Sequence, residues 1–179
     1  MKTQLHLKED AKPIFRAKRP VTYAMLPLIE DVINRLQSFG IFSPVDFSDG
    51  SAHFVAIKKL NGKIRVCGDY STGLNDGLEL TNIHFIAQKT FMQKCINCCL
   101  YTHIDLSDAY LQTEVTPVSV KLLNINIHRG LFIFNRLAPD VNSAPGAFQK
   151  ILNTMLAGTE DAAAYIDDII VGGTVVENT

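Results

Sequence analysis

Two segments of the chain carry hydrophobic residues every three to four positions, which is the spacing of one face of an α-helix. The first begins near Pro27 and ends at Gly40, a residue suited to the left-handed conformation that closes many helices. The second begins near Ser143 and Pro145 and ends at Gly158. Its apolar stripe consists of Phe148, Ile151, Leu152, Met155 and Leu156. The pattern therefore predicts two amphipathic helices.

Shorter segments combine apolar and β-branched residues between turn signals and predict β-strands. The Asn61-Gly62 dipeptide is a strong hairpin signal between two of them, and His128-Arg129-Gly130 marks a second turn. A weakly helical stretch is predicted around residues 86–94, and Ser107 can cap a short helix ending at Gln112. The predicted strands are residues 51–57, 63–70, 100–106, two within 122–134, 162–165 and 169–171. Strands and helices intermix along the chain, which indicates an α+β fold.

Composition indicates one ordinary folded domain. The chain has 179 residues, of which 47% are hydrophobic and 20% charged, enough to form a core. Residues 1–22 lack periodicity and are predicted to form an extended N-terminal arm, followed by the domain at residues 23–179. Neither a signal-peptide pattern nor an uninterrupted apolar run of about 18 residues is present. We therefore expect an intracellular protein, cytoplasmic or nuclear, with its four cysteines as free thiols.

Charge is distributed unevenly, although the net value is only −1. Residues 1–100 contain 13 basic and nine acidic side chains, whereas residues 101–179 contain four and nine. The basic residues form one group on the arm and another on the first predicted hairpin. Such groups can bind phosphates through counterion release, and an ordinary solvated basic face explains the arm equally well. The hairpin group consists of Lys58, Lys59, Lys63 and Arg65.

Two adjacent carboxylates interrupt an otherwise apolar hairpin at Asp167 and Asp168. Burying unpaired charge is costly, so a cation is expected nearby. Asp105, at the end of another predicted strand, is the natural partner, and two carboxylates from separate strands suit Mg²⁺ with waters and substrate phosphates. An ordinary polar turn is the alternative interpretation of an isolated Asp-Asp pair.

The surrounding motifs resemble reverse transcriptases, in particular the polyproteins of gypsy-type long-terminal-repeat retrotransposons. Tyr165-Ile-Asp-Asp168 is similar to their Tyr-x-Asp-Asp box, and residues 103–112 resemble the motif around their first aspartate. Further similar phrases lie at residues 11–20, 64–70, 127–132 and 143–149, so the resemblance spans nearly the whole chain in the same order. It implies fingers and a palm, the palm being an antiparallel sheet backed by helices.

The resemblance also implies roles for individual residues. Asp105, Asp167 and Asp168 are the expected catalytic, metal-binding carboxylates, holding two Mg²⁺ ions or, as an alternative, Mn²⁺. The residues expected to contact the incoming nucleotide or the template are Lys58 or Lys59, Arg65, Tyr110 and Gln149. Tyr110 matches the ring that excludes ribonucleotides, and Arg65 with one of the two lysines matches the grip on the triphosphate. The implied function is RNA-directed DNA polymerase, with a primed RNA or DNA template, deoxynucleoside triphosphates and other polyprotein segments as partners, and no membrane.

The sequence departs from the family at Pro139 and Asp140, where the family has a side chain that packs on the nucleotide and then a glycine. It also ends 11 residues after Asp168, so we expect the thumb to be absent. These features favour a second hypothesis, a catalytically inactive, truncated retroelement remnant that keeps the fold and weak nucleic-acid binding. A domesticated interaction module without a nucleic-acid role is the third hypothesis.

Overall fold

A computed structural model describes residues 2–58, 60, 62–79, 98–159 and 161–173 of the chain. The chain folds into two units, the first formed by Met1–Leu80 and Tyr110–Ala144, the second by Thr81–Ala109 and Pro145–Thr179. The weakly helical stretch predicted around residues 86–94 lies outside the described residues, as does Lys59.

The first predicted helix is confirmed as α1, Leu26–Ser38, in the first unit. Its buried face consists of Ile29, Ile33 and Leu36, at helical spacing. Gly40 has φ +66° and closes the helix: its N–H donates to the Gln37 carbonyl, and the next N–H, of Ile41, donates to the Leu36 carbonyl. Glycine is the residue that reaches this conformation without strain, so the helix ends where the sequence predicts.

Both predicted hairpins are confirmed, and they contribute to the same five-stranded sheet in the first unit. Its strands are β2 (Phe42–Val45), β3 (Ala52–Lys58), β4 (Ile64–Asp69), β7 (Asn124–Ile127) and β8 (Gly130–Phe134). Their spatial order is β2-β8-β7-β3-β4, in which β3 and β7 run parallel and the other neighbours antiparallel. Phe42 packs edge-on against Phe134 with ring centroids 4.4 Å apart, which places aromatic packing in the core.

The N-terminal arm runs along the first unit. Strand β1 (Lys2–Thr3) pairs in parallel with β6 (Glu114–Val115), and Leu5 is buried. Farther along, the Arg16 N–H donates to the Ser51 carbonyl at 2.9 Å. Short helical segments complete this unit: α2 (Leu74–Gly77), α3 (Pro117–Val120) and 3-10 turns at Tyr23–Met25 and Tyr70–Thr72. The helix predicted from Ser107 to Gln112 is a 3-10 turn, Ala109–Gln112.

The second unit contains a three-stranded antiparallel sheet in the order β5-β10-β9. The strands are β5 (Leu100–Asp105), β9 (Ala162–Tyr165) and β10 (Asp168–Gly173), which confirms the three predictions made there. Helix α4 (Ala144–Met155) confirms the second amphipathic helix; Phe148 and Leu152 of its predicted stripe are buried, whereas Met155 is exposed. Among the described residues, no helix has the length and apolar character needed to cross a bilayer.

Candidate functional site

Asp105 and Asp168 lie directly opposite each other in the second unit. Strands β5 and β10 are antiparallel, and their register places Asp168 against Asp105 at one end of the ladder. Directly opposed residues in an antiparallel pair project from the same face, with Cβ atoms about 4.5–5.5 Å apart. Two like charges at this distance repel each other, so the arrangement suits a bound cation.

Asp167 occupies the turn between β9 and β10. Its carbonyl accepts the Leu106 N–H at 2.9 Å, which joins the turn to the residue that follows β5. The preceding residue, Ile166, has φ +57°, a conformation that is strained for a β-branched side chain. Within the described part of the chain, the side chains of Asp105 and Asp167 form no hydrogen bond or ion pair, so both carboxylates are available to a ligand.

Gln149 of helix α4 holds this strained turn from the protein interior. It is fully buried, and its Oε1 accepts the Ile166 N–H at 2.7 Å. Its Nε2 donates to the Ala164 carbonyl at 2.9 Å and to Asn153 Oδ1 at 2.8 Å. The sequence suggests a contact between Gln149 and the nucleotide or template, but the structure commits its amide to the hairpin. Gln149 therefore holds the backbone of the turn that precedes Asp167, and its contact with the nucleotide or template stays a prediction.

His103 is a site residue that the sequence reasoning missed. Its Nε2 donates to Asp168 Oδ1 at 2.7 Å, across the β5–β10 pair. An ionised carboxylate only accepts hydrogen bonds, so the imidazole must be the donor. The alternation along β5 already places His103 on the same face as Asp105. The contact with Asp168 depends on the register between β5 and β10, and the hydrophobic pattern of a strand does not specify its register with another strand.

The three carboxylates do not form a closed metal cage. Within the described residues, no three His, Cys, Asp or Glu side chains are grouped closely enough to hold a metal ion by themselves. Mg²⁺ is usually bound through one or two carboxylates, together with waters and substrate phosphates. Asp105 and Asp167, assisted by Asp168, fit that donor chemistry.

The predicted triphosphate-binding residues lie on the β3–β4 hairpin of the first unit. Lys58 ends β3 opposite Ile64, and Arg65 follows on β4 opposite Ile57. Both basic side chains are exposed. Of the two candidate lysines, only Lys58 is among the described residues. The choice between Lys58 and Lys59 as the triphosphate-binding lysine therefore stays open.

A buried thiol lies two residues after Arg65 on strand β4. Cys67 is buried and projects from the same strand face as Arg65. Burial, followed by the Asp140 carboxylate, raises the pKa of Cys67 to about 12, so the thiol stays protonated near neutral pH. Burial likewise raises the pKa of the neighbouring Tyr70 phenol well above its usual value, with Asp140 adding to the shift.

Two other predicted residues have less defined environments. Tyr110 is half-buried in the 3-10 turn Ala109–Gln112, and its carbonyl accepts the Thr113 N–H at 3.0 Å. Ser143 precedes helix α4, but its buried hydroxyl has no hydrogen-bond partner in the described structure, so it does not cap the helix through its side chain. The role of Tyr110 in sugar selection stays a prediction.

A cavity lies within the first unit, and Tyr70 is among the residues that line it. Its volume is about 640 Å³, and its walls include Ile14, Val45, Phe47, Leu74 and Leu122. Lys58, Arg65 and Tyr110 do not line it. No pattern in the sequence predicted this cavity.

The sheets, helices and carboxylate hairpin define a mixed α/β domain with the fold of viral protease-reverse transcriptases. The native prototype foamy virus protease-reverse transcriptase matches 96% of this chain with a TM-score of 0.81 and 21% identity, over 24% of its own chain. A foamy virus protease-reverse transcriptase in complex with RNA/DNA hybrid matches 96% of this chain and 24% of its own, with a TM-score of 0.81 and 18% identity. At these identities the likeness is one of fold.

The chain is also similar in sequence to two curated proteins, one of them a retrovirus-related Pol polyprotein. The uncharacterized protein K02A2.6 of Caenorhabditis elegans is 38% identical over 178 residues, which cover 98% of this chain and 14% of the relative. The retrovirus-related Pol polyprotein from transposon 412 of Drosophila melanogaster is 26% identical over 183 residues, covering 96% and 14%. The chain thus spans about 14% of the length of these curated relatives. No protein-family model matches it.

Proposed function

We propose that this chain is the fingers and palm of a gypsy-type retrotransposon reverse transcriptase, an RNA-directed DNA polymerase domain. The main support for this proposal is that Asp105 and Asp168 lie directly opposite each other on paired strands, with Asp167 in the adjoining turn. The name of the transposon 412 relative, a retrovirus-related Pol polyprotein, supports the assignment. Foamy virus structures with the same fold hold double-stranded DNA or an RNA/DNA hybrid, which supports a primed nucleic acid as the partner.

In the proposed reaction, the carboxylates of the second unit would hold two Mg²⁺ ions. Asp105 and Asp167 would be the direct ligands and Asp168 the supporting carboxylate, which accepts a hydrogen bond from His103. When bound, such ions supply activation of the primer 3′-hydroxyl and neutralisation of charge on the departing pyrophosphate. The bond that forms joins the primer oxygen to the α-phosphorus of a deoxynucleoside triphosphate, and the bond to pyrophosphate breaks.

The remaining residues bind and orient the nucleotide. Arg65 offers a forked guanidinium and Lys58 an ammonium, both exposed on the hairpin, for the triphosphate oxygens. Tyr110 is proposed to exclude ribonucleotides by occupying the space of a 2′-hydroxyl. Gln149 keeps Asp167 in place by holding the turn around Ile166. Phosphoryl transfer depends mainly on such positioning and on charge neutralisation.

A second candidate function is a catalytically inactive remnant that keeps the fold and weak nucleic-acid binding. One sequence feature favours it: Asp140 stands where the resembled family has a glycine in its nucleotide pocket. A negative charge there opposes the binding of a triphosphate.

Primer extension separates the two functions. The purified chain is incubated with Mg²⁺, deoxynucleotides and a primed RNA template, beside Asp105→Asn and Asp167→Asn, which keep the shape but remove a charged ligand. A fall of about 100-fold or more is expected in each variant. Asp31→Asn, on the exposed side of α1, is the matched charge control and should retain the parent's activity. Extension by neither the parent nor the control refutes the polymerase assignment for this chain and favours the remnant.

A further inference from the structure

The N-terminal arm closes one side of the cavity in the first unit, because residues 11–14 are among those that line it. Backbone hydrogen bonds hold this segment at both ends. The Lys8 N–H donates to the Gly77 carbonyl at 2.9 Å, and the Arg16 N–H donates to the Ser51 carbonyl at 2.9 Å. Since the segment is tied at both ends, the cavity is preformed in the folded unit, as small-molecule sites usually are.

Large apolar side chains in the cavity wall remain partly exposed. Leu7 is 42% exposed, Ile14 is 41% exposed and Phe47 is 78% exposed, and all three line the cavity. The volume of about 640 Å³ falls within the roughly 300–1,000 Å³ of typical ligand sites. A ligand that covers these side chains removes apolar surface from water, so the cavity favours a ligand with an apolar body.

Tyr70 adds an unused polar group to the same wall. The residue is 1% exposed, and its hydroxyl is buried without a hydrogen-bond partner in the described structure. A buried hydroxyl that lacks a partner is unfavourable. One residue of the wall therefore carries a hydrogen-bonding group that the protein itself does not satisfy.

Positive charge predominates among the ionisable residues of the wall. The basic members are Lys12, Arg16 and Lys121, and the acidic members are Asp49 and Asp69. Asp69 is neutralised by an ion pair with Arg19 at 3.3 Å, which leaves one acidic residue against three basic ones. Within the described residues, the side chains of Lys12 and Lys121 form no hydrogen bond or ion pair, so both ammonium groups are available to a ligand.

We propose that this cavity binds amphipathic organic anions, molecules with an apolar body and one negatively charged group. The apolar wall takes the body, and Lys12 and Lys121 attract the anionic group. Two unpaired ammonium groups beside exposed apolar side chains complement both parts of such a molecule. The inference does not rest on the proposed function, because neither the three aspartates nor Arg65 lines the cavity.

Two fluorescent probes with the same aromatic frame test this proposal: anilinonaphthalene sulfonate, which is an anion, and its neutral counterpart phenylnaphthylamine. The full chain is titrated with each probe at low salt. It should bind the anion saturably, at one site, and about fivefold or more tightly than the neutral probe. In the double variant Lys12→Gln with Lys121→Gln, the affinity for the anion should fall about tenfold, whereas that for the neutral probe should not change.

A matched control removes two exposed lysines that do not line the cavity. Lys18→Gln with Lys150→Gln changes the net charge of the chain by the same amount and should leave both affinities unchanged. A loss of the same size in this control would attribute the effect to net charge and overturn the proposal.

A second pair of variants locates the site. Ile14 and Phe15 are adjacent exposed residues of the arm, and of the two only Ile14 lines the cavity. Ile14→Asp should lower the affinity for the anion about tenfold and that for the neutral probe about threefold, because the wall loses apolar contact and gains a repelling charge. Phe15→Asp introduces the same charge one residue away and should change either affinity less than about twofold.

Equal losses in Ile14→Asp and Phe15→Asp overturn the proposal, as does an unchanged affinity for the anion in the double lysine variant. Equal affinity of the parent for the two probes indicates a neutral occupant and also overturns it, as does the absence of saturable binding. Circular dichroism with thermal melting verifies that each variant folds, and the double lysine variant changes only exposed side chains.

Discussion

Replacing Gln149 with leucine removes three hydrogen bonds, two of which hold the strained hairpin turn, while nearly preserving the volume of the side chain. Two backbone groups lose their partner: the Ile166 N–H and the Ala164 carbonyl. Asn153 is only half-buried and can bind water instead. Since Gln149 is fully buried, the backbone groups it serves cannot all be rehydrated in the folded state.

The cost follows from these contacts. A buried backbone group left without a partner costs about 1–3 kcal/mol, so two such groups with partial rehydration predict roughly 3 kcal/mol. The φ of +57° at Ile166 adds to this penalty, because the bond that maintains that conformation is gone. A loss of roughly 3 kcal/mol corresponds to a fall in Tm of about 6–12 °C for a chain of this size.

Native-state hydrogen exchange is the most direct assay. The Ile166 amide should exchange roughly 100-fold faster in Gln149→Leu than in the parent, which is the same free energy expressed as a rate. Asn153→Ala is the matched control, because it removes only one of the three bonds and leaves both backbone contacts; a change below about 1 kcal/mol is expected. Unchanged exchange at Ile166 together with an unchanged Tm would refute the assignment of Gln149 as the support of Asp167.

Three further predictions concern stability and thiol reactivity. Glu30→Gln should lower the free energy of unfolding by about 1–2 kcal/mol in urea titrations, because its carboxylate accepts a charge-assisted hydrogen bond from Arg129 at 3.1 Å; a loss below about 0.3 kcal/mol contradicts this. The Ser71 hydroxyl, and then the Arg19 charge, lower the pKa of Asp69 below its usual 3.8, so its contribution is present above pH 3.8 and disappears as the pH falls through the folded-state pKa. Asp69→Asn should accordingly be about 0.5–1 kcal/mol less stable at pH 7 and nearly equal to the parent at the lowest pH where both fold; a difference independent of pH argues against it. Iodoacetamide at pH 8 should label exposed Cys99 rapidly, whereas buried Cys67, with its pKa of about 12, should react only on unfolding. Mass spectrometry can measure both labelling rates, and equal rates would contradict the burial of Cys67.

The local sequence pattern was sufficient to predict those helices and hairpins whose ends are determined by their own residues. Helix α1 ends at Gly40 because the glycine conformation there is specified locally. The Asn-Gly dipeptide predicts the hairpin that joins β3 and β4, and Gly62 has φ +79°. The aspartates of the candidate site were found because adjacent acidic residues are costly in an apolar hairpin.

Long-range pairing could not be predicted in this way. His103 bonds Asp168 across 65 residues of sequence, and the alternation within β5 contains no information about that register. The role of Gln149 depends on helix α4 facing the Ala164–Ile166 segment, whereas the sequence suggests a ligand contact. The hydrogen bond from Asn75 to the Asp140 carbonyl likewise joins two segments whose proximity only the folded chain creates.

The pairing of β5 with β10 also determines when the candidate site forms during synthesis. Strand β5 is complete at Asp105, but its partner ends only at Gly173, whereas the five-stranded sheet of the first unit has all its strands once Phe134 has been made. All strands of the five-stranded sheet are therefore synthesised before Asp168, and Asp105 can pair with Asp168 only later. Translational arrest between these points would yield a nascent chain that contains every strand of the first unit and lacks the second half of the carboxylate pair.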